Sequence, residues 1–278
     1  ESMIRKCLLG ILLGGMVCSV SAQRIKGSDT VLPLSQRWAE ELTKEEPNRS
    51  ESVVVTGGGS GVGILALLEG STDLAQSSRP ISFAERLKMK KAGKELREVI
   101  VAYDALAVIV SPKNPIDRLT KEQLSAIYRG KVKRWNEVGG ESWVIVPYSR
   151  ETSSGTYEFF KEEVLDHKNY QSGVLNMPAT GAVMQSVSQT KGAIGYVGLA
   201  YLNETVKALR ISYDGGATYV GPEESYHEEA HYPIVRPLYY YYLVENESKV
   251  RSFLDFIASD RGVEIVKNLG FIPNKDRK

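Results

Sequence analysis

Three short stretches of glycine, serine and threonine each precede a predicted helix. They are GSDTVLP (27–33), TGGGSG (56–61) and SRETSSGT (149–156). Small residues let backbone N–H groups approach a ligand, and the first turn of a helix leaves such groups unpaired with a partial positive charge. Hydroxyls add donors, and Arg150 adds a guanidinium that can hold two oxygens of one anion. Each turn alone fits ordinary helix capping, but three together indicate a site for a small tetrahedral anion.

The glycine run of the second turn matches neither common nucleotide-binding motif. A P-loop ends in Gly-Lys-Ser/Thr, whereas Gly63 is followed by Ile64. The dinucleotide pattern would require a glycine at the position of Ile64 as well. The run therefore favours a small anion over a nucleotide.

One further motif predicts different chemistry. The segment His227-Glu228-Glu229-Ala230-His231 matches H-E-x-x-H, which on a helix places two imidazoles on one face for zinc, with the first glutamate as general base. Pro222 and Pro233 leave room for only a short helix, and His167 is the one further histidine of the chain. A polar loop is favoured, and a zinc-dependent hydrolase using His227, Glu228 and His231 stays the alternative.

The elements that must position the three turns alternate along the chain. A β-branched run at 52–56 predicts a strand before the second turn, and 144–146 predicts one before the third. Further strands are predicted at 73–76, 98–110, 193–197 and 238–244, and helices after Ser82 and Thr120, over 153–165, and over 248–269 with a break near 260–262. This alternation predicts an α/β fold with a mainly parallel sheet.

Composition excludes several classes of protein. The 278 residues are 42% hydrophobic, which is ample for the core of one large or two ordinary domains and excludes a disordered chain. The 35 basic and 34 acidic residues nearly balance, which argues against a polybasic protein and predicts no nucleic-acid partner. Two cysteines cannot form a disulfide scaffold.

The N-terminal segment has the pattern of a secretory signal peptide over residues 1–22. The basic start 3–6 is followed by an apolar run at 7–20 and a small residue before a polar one. The run is shorter than the roughly 20 residues that a membrane-spanning helix needs. The residues before Cys18 do not favour a lipid anchor. The sequence therefore predicts a periplasmic or otherwise extracytoplasmic protein.

Eight motifs, in their order along the chain, resemble one family: GSDTVLPLSQRWAEEL, TGGGSGVGI, DLAQSSRPIS, AYDALAVIVSPKNP, LTKEQLSAIYRGKVKRWNEVGG, SRETSSGT, KGAIGYVGLAY and YPIVRPLYYYY. They resemble the phosphate-binding subunit of bacterial phosphate ABC importers, a type II periplasmic binding protein. The resemblance spans nearly all of the chain after the signal peptide. It implies a monomer that binds inorganic phosphate at high affinity and delivers it to a membrane permease, without catalysis, metal or cofactor.

The resemblance also implies which residues contact phosphate: Thr30, Val31, Ser60, Ser78, Arg150, Ser154, Gly155 and Thr156. Many family members carry an aspartate where Ser78 stands; that carboxylate accepts a hydrogen bond from a protonated phosphate oxygen and repels sulfate. Ser78 can accept as well as donate, so phosphate still fits. Selectivity against sulfate or another tetrahedral oxyanion is left open. Asp29 is another possible acceptor, and Arg79 faces either the cleft or solvent.

The same resemblance implies two α/β lobes joined by two crossing strands, near 103–107 and 234–238. The first lobe would combine 23–104 with 236–278, and the second would comprise 105–235. Thr30, Ser60 and Ser78 would then lie on the first lobe, and Arg150 with 154–156 on the second. An anion between the lobes would favour their closed arrangement by hinge bending.

Overall fold

The computed structural model describes residues 21–226 and 231–275. Within them the strands and α-helices follow in the order β1 Ser21–Gly27, α1 Leu32–Glu45, β2 Glu51–Thr56, α2 Ser60–Glu69, β3 Leu74–Ser77, α3 Phe83–Lys91, β4 Leu96–Val110, β5 Arg118–Thr120, α4 Lys121–Tyr128, β6 Val146–Arg150, α5 Gly155–Glu163, β7 Leu175–Met177, α6 Thr180–Gln189, β8 Ala193–Gly198, β9 Lys207–Ala208, β10 Arg210–Ser212, β11 Val235–Leu243, α7 Glu247–Ala258 and α8 Asp260–Asn268. The predicted α/β class is confirmed.

One sheet runs through both lobes in the strand order β2-β1-β3-β11-β4-β8-β6-β7, with β9 also beside β4. The long strand β4 joins the lobes, because its residues up to Ala105 pair with β11 and those from Leu106 onward pair with β8. The expectation of a mainly parallel sheet is wrong. Strand β11 is antiparallel to β3 and β4, and β4 is antiparallel to β8, because the two crossing strands run in opposite directions.

Alternating tyrosines of β11 pack into two core layers of the first lobe. Tyr240 and Tyr242 pack with Trp38 of α1 and with the C-terminal helices α7 and α8. Tyr239 and Tyr241 face the other side and pack with α2 and α3. Successive side chains of a strand point to opposite faces, so the helices cover both faces of this half of the sheet. Strand β11 is thereby held rigidly between the helices that carry the first two turns.

An aromatic cluster in the second lobe fixes the elements that carry the third turn. The rings of Phe160 from α5 and Tyr196 from β8 stack with centroids 3.9 Å apart. The Tyr196 hydroxyl lies 2.5 Å from the hydroxyl of Ser149 on β6, and the Tyr128 hydroxyl donates to the carbonyl of Tyr148 at 2.9 Å. Packing and hydrogen bonds therefore join α4, α5, β6 and β8 into one unit.

The helices predicted after Ser82 and Thr120 are confirmed, and capping boxes of Ser82 with Glu85 and of Thr120 with Gln123 open α3 and α4. The strand expected at 144–146 is displaced. Val144 makes only an isolated bridge to Arg134, and the strand β6 begins at Val146, where pairing with β8 becomes possible. It therefore ends at Arg150, within the first two residues of the third turn.

The predicted signal peptide lies almost wholly outside the described residues, and its expected cleavage after Ala22 falls within β1. That processing, like the lobe boundaries at 104/105 and 235/236, stays a prediction. In the described ranges 21–226 and 231–275, none of the helices is long and apolar enough to cross a membrane.

A side chain at Gly63 should destabilise the fold, although Gly63 lies inside helix α2. A Cβ there would stand 2.4 Å from the carbonyl oxygen of Lys26 and 2.7 Å from the Cα of Gly27. Alanine has the higher helix propensity by about 1 kcal/mol, but this clash with the backbone of β1 outweighs it. We expect Gly63→Ala to lower the free energy of unfolding by about 1–3 kcal/mol in urea denaturation.

Gly181 of α6 is the matched control, because nothing lies within 4 Å of a Cβ built there. Gly181→Ala should raise the free energy of unfolding by about 0.5–1 kcal/mol. Equal effects of the two substitutions would contradict the close packing of α2 on β1.

Candidate functional site

The three small-residue turns open helices α1, α2 and α5, and all three helices begin at the same cleft between the lobes. The hydroxyl oxygen of Thr30, in the first turn, lies 3.1 Å from that of Thr156, in the third. Both residues are buried. Neither Val31 nor Gly59, the residues that precede α1 and α2, caps its helix with a side chain. The turns therefore bring hydroxyls and helix N-termini from opposite lobes together.

Gly155 of the second lobe lies against two serines of the first. The Ser78 backbone N–H donates to the Ser60 hydroxyl at 3.0 Å, and the two hydroxyl oxygens are 3.4 Å apart. A Cβ at Gly155 would stand 2.3 Å from the Ser60 oxygen and 2.7 Å from that of Ser78. Only glycine permits this approach of the third turn to the two hydroxyls.

Arg150 is buried and forms an ion pair across the cleft. Its Nη2 lies 2.5 Å from a carboxylate oxygen of Asp29, and Asp29 also accepts from the Gly58 N–H at 3.0 Å. Its Nη1 donates to the Thr180 hydroxyl at 3.0 Å. Its Nε and Nη2 donate to the carbonyls of Met177 and Pro178. The guanidinium is thus fixed in place against Asp29 of the first turn, which compensates its charge.

Two further contacts hold the lobes together. The Tyr201 hydroxyl donates to the backbone carbonyl of Asp29 at 2.5 Å, and the Gly61 N–H donates to the Ser153 carbonyl at 3.1 Å. Burial raises the pKa of Tyr201, so its hydroxyl stays protonated and remains a donor. The lobes are therefore closed on one another around the hydroxyl groups.

A second buried arginine lies beside these hydroxyls, and sequence reasoning missed it. Arg236 on β11 faces Asp104 on β4, with Nη2 2.9 Å and Nε 3.2 Å from the same carboxylate oxygen. Its Nη2 also donates to the Thr30 hydroxyl at 3.3 Å, and its Nη1 to the Ser78 carbonyl at 3.4 Å. Both charged side chains are about 1% exposed or less. The sequence does contain a signal for this pair, because Asp104 and Arg236 are each a charged residue inside an otherwise apolar crossing strand.

Burying the ion pair of Asp104 and Arg236 costs desolvation free energy. Burial raises the pKa of Asp104 and lowers the pKa of Arg236, because both charged forms lose their water, and the partner's charge opposes each shift. The ring of Phe159 from α5 adds a cation–π contact, with its centroid 5.4 Å from the guanidinium carbon. The Arg236 side chain on β11 therefore contacts both the other crossing strand, β4, and helix α5.

The other candidate residues to be placed are Val31, Ser154 and Arg79. Val31 points its side chain into the core of the first lobe, so only its backbone belongs to the turn. The Ser154 hydroxyl accepts from the Thr156 N–H at 3.2 Å and caps α5. Arg79 is largely buried beside Gly61 of the second turn, and both its Nη atoms donate to the carboxylate of Glu85 at 2.8 Å.

The H-E-x-x-H motif lies outside the described residues, except for the exposed His231. Among residues 21–226 and 231–275, no group of three or more histidine, cysteine, aspartate or glutamate side chains is placed to hold a metal ion.

A family model described as the PBP superfamily domain matches residues 19–261. The chain belongs to the PBP superfamily. Two relatives named phosphate-binding protein PstS are each 33% identical over 264 residues. The one from Staphylococcus saprophyticus covers 90% of this chain and 80% of the relative, and the one from Pseudomonas aeruginosa covers 89% and 81%. The PBP chain described here is therefore PstS-like, with the type II periplasmic binding protein fold.

Solved structures agree with this assignment. A Clostridium perfringens substrate-binding protein, assigned to a phosphate ABC transporter and solved with bound phosphate, superposes with a TM-score of 0.81 at 31% identity. The match covers 92% of this chain and 100% of that one. A Vibrio cholerae ABC-type phosphate transport receptor gives a TM-score of 0.71 at 26% identity and covers 91% of this chain and 100% of that one.

The approach of Gly155 to the two serines yields a direct test. In Gly155→Ala, the new methyl group would push the third turn away from Ser60 and Ser78. We expect inorganic phosphate, as the probe anion, to bind at least about tenfold more weakly in calorimetry. Gly173→Ala in the same lobe is the control, because only the end of the Gln171 side chain approaches its Cβ. Unchanged affinity in the Gly155 variant would place the anion elsewhere.

Proposed function

We propose that this protein captures inorganic phosphate between its two lobes and delivers it to the membrane permease of an ABC importer. The observation that carries the proposal is the convergence of four hydroxyls from both lobes. Those of Thr30, Ser60 and Thr156 lie at or beside the start of a helix, and that of Ser78 follows strand β3. Hydroxyls and helix N-termini suit a small tetrahedral anion, because several hydroxyl and backbone N–H groups can donate to its different oxygens. The names of the relatives support phosphate as that anion.

Eight residues are proposed as phosphate ligands, and they act in three ways. Hydroxyls donate to or accept from the anion, backbone N–H groups at the starts of helices donate to it, and one guanidinium adds a full charge. The residues are Thr30, Val31, Ser60, Ser78, Arg150, Ser154, Gly155 and Thr156. Val31 and Gly155 contribute through the backbone alone, as their positions require.

Hydroxyl groups allow the site to accept a partly protonated anion. A hydroxyl accepts a hydrogen bond from a phosphate O–H, which sulfate lacks at neutral pH, and it also donates to an unprotonated oxygen. Ser78 and Ser60 supply two such groups, whereas both Asp29 oxygens already accept from Arg150 and Gly58. Discrimination against sulfate therefore rests on hydroxyl orientation in this chain, and a sulfate receptor is the less favoured alternative.

Closure is proposed to be the event that the permease recognises. Phosphate contacts to both lobes add to the contacts that Asp29 makes with Arg150 and Tyr201, and so they favour the closed arrangement. The protein binds its cargo without turning it over. We propose that it acts as an extracytoplasmic monomer, exported by the signal peptide 1–22, with no cofactor. The zinc hydrolase alternative finds no support among the relatives.

Calorimetric titration with phosphate, sulfate, arsenate and molybdate tests the function itself. The proposal predicts one phosphate per chain with a Kd below about 10 μM, near −7 kcal/mol. Sulfate and molybdate should bind more weakly. Absence of phosphate binding in this range would refute the proposal, and tighter binding of sulfate would assign the protein to the alternative cargo.

Arg150 should be essential for tight binding. Arg150→Ala removes a buried charge from the second lobe and leaves Asp29 unpaired, so the site loses attraction and gains a repelling carboxylate. We expect phosphate affinity to fall at least about 100-fold in calorimetry. The matched control is Arg210→Ala in the same lobe, which breaks a half-exposed ion pair with Glu224. An Arg150 variant that binds like the control would show that the site is misplaced.

A further inference from the structure

We propose that Arg236 is a second cationic residue of the phosphate site and that it sets a preference for the dianion of phosphate. It is held in place by Asp104 across the two crossing strands. This inference rests on the proposed function and concerns the same site. None of the three small-residue turns that indicated the site includes this residue.

The contacts of Arg236 direct it toward the anion site. A guanidinium has five N–H groups. Two donate to Asp104, one to the Thr30 hydroxyl and one to the Ser78 carbonyl, and the last two partners belong to proposed phosphate ligands. The fifth N–H is on Nη1, the nitrogen that already contacts Ser78. It is the group through which Arg236 would reach the anion.

A second cation strengthens the site because most N–H groups of Arg150 already have protein partners. Arg150 donates four of its N–H groups to Asp29, Thr180, Met177 and Pro178, and the contact with Asp29 is only 2.5 Å long. Arg236 is also paired with a carboxylate, at 2.9 and 3.2 Å, but it is almost completely buried. Charges interact more strongly where water is excluded, so Arg236 adds attraction that a surface arginine would not.

The charges around Arg236 favour a dianion. Asp104 on β4, Arg150 on β6 and Tyr196 on β8 are the titratable groups that act on it. The Thr30 hydroxyl, the Ser78 carbonyl and the Phe159 ring are uncharged. Position 78 carries a serine rather than a carboxylate, so no negative charge there repels the second charge of the dianion. A dianion gains twice the Coulomb attraction of a monoanion from each guanidinium.

The decisive experiment removes the buried pair without stranding a charge. The double variant Asp104→Asn/Arg236→Met keeps the volume and leaves no unpaired ion, which buried sites tolerate better than a single removal. Its control is Arg24→Met/Asp73→Asn/Lys249→Met, a partly exposed ion-pair cluster of the same lobe near Gly70, at the end of α2 opposite Ser60. Phosphate affinity is measured by calorimetry at about pH 6 and about pH 8, on either side of the phosphate ionisation.

Wild type should bind phosphate about tenfold more tightly at the higher pH, and the control variant should follow wild type. The double variant should lose about tenfold or more at the higher pH, and its affinity should change only a few-fold between the two pH values. Unchanged affinity, or an equal loss at both pH values, would overturn the inference, because a purely structural role weakens both anions alike. A wild type that binds no phosphate would instead refute the proposed function.

Arg236→Lys decides the same question where the double variant does not fold. Lysine keeps a positive charge but not the fork that joins Asp104, Thr30 and Ser78. We expect weaker phosphate binding with the wild-type pH dependence. Loss of that dependence in the lysine variant would overturn the charge argument.

Discussion

The structure depends on one close approach, that of the Gly155 backbone to the hydroxyls of Ser60 and Ser78 across the cleft. A single methyl group on Gly155 would leave no room for it. The approach requires small residues in the turns of both lobes, and it requires α2 and α5 to begin at the same place. The crossing strands β4 and β11 bring the lobes to that distance, and the tyrosines of β11 hold the strand between its helices.

The electrostatics of the site follow from this enclosure. Arg236 lies beside the hydroxyls and Arg150 lies against the first turn, and each is paired with an aspartate, so these four side chains sum to no net charge. An anion would then be bound by hydroxyls, helix N-termini and the remaining N–H groups of the two guanidinium groups. The nearly balanced composition of the whole chain agrees with such a site, because no broad positive field is needed.

Much of the site was predictable because its signals are local. Each turn is a short cluster of glycine, serine and threonine before an apolar helical pattern, and the capping boxes at Ser82 and Thr120 are equally local. The ion pairs were not predictable in this way. Asp29 and Arg150 are 121 residues apart, and Asp104 and Arg236 are 132 apart, so only the pairing of strands and the closure of lobes bring them together. The antiparallel pairing at the centre of the sheet was not predictable either, because it too joins segments far apart in the sequence.

The central claim is that one phosphate is held by turns from both lobes at once. A crystal structure of the protein grown with phosphate tests it most directly. The account predicts one phosphate within hydrogen-bond distance of Thr30, Ser60 and Ser78 on one side and of Arg150 and Gly155 on the other. A phosphate that contacts residues of only one lobe, or that binds away from these turns, would contradict it.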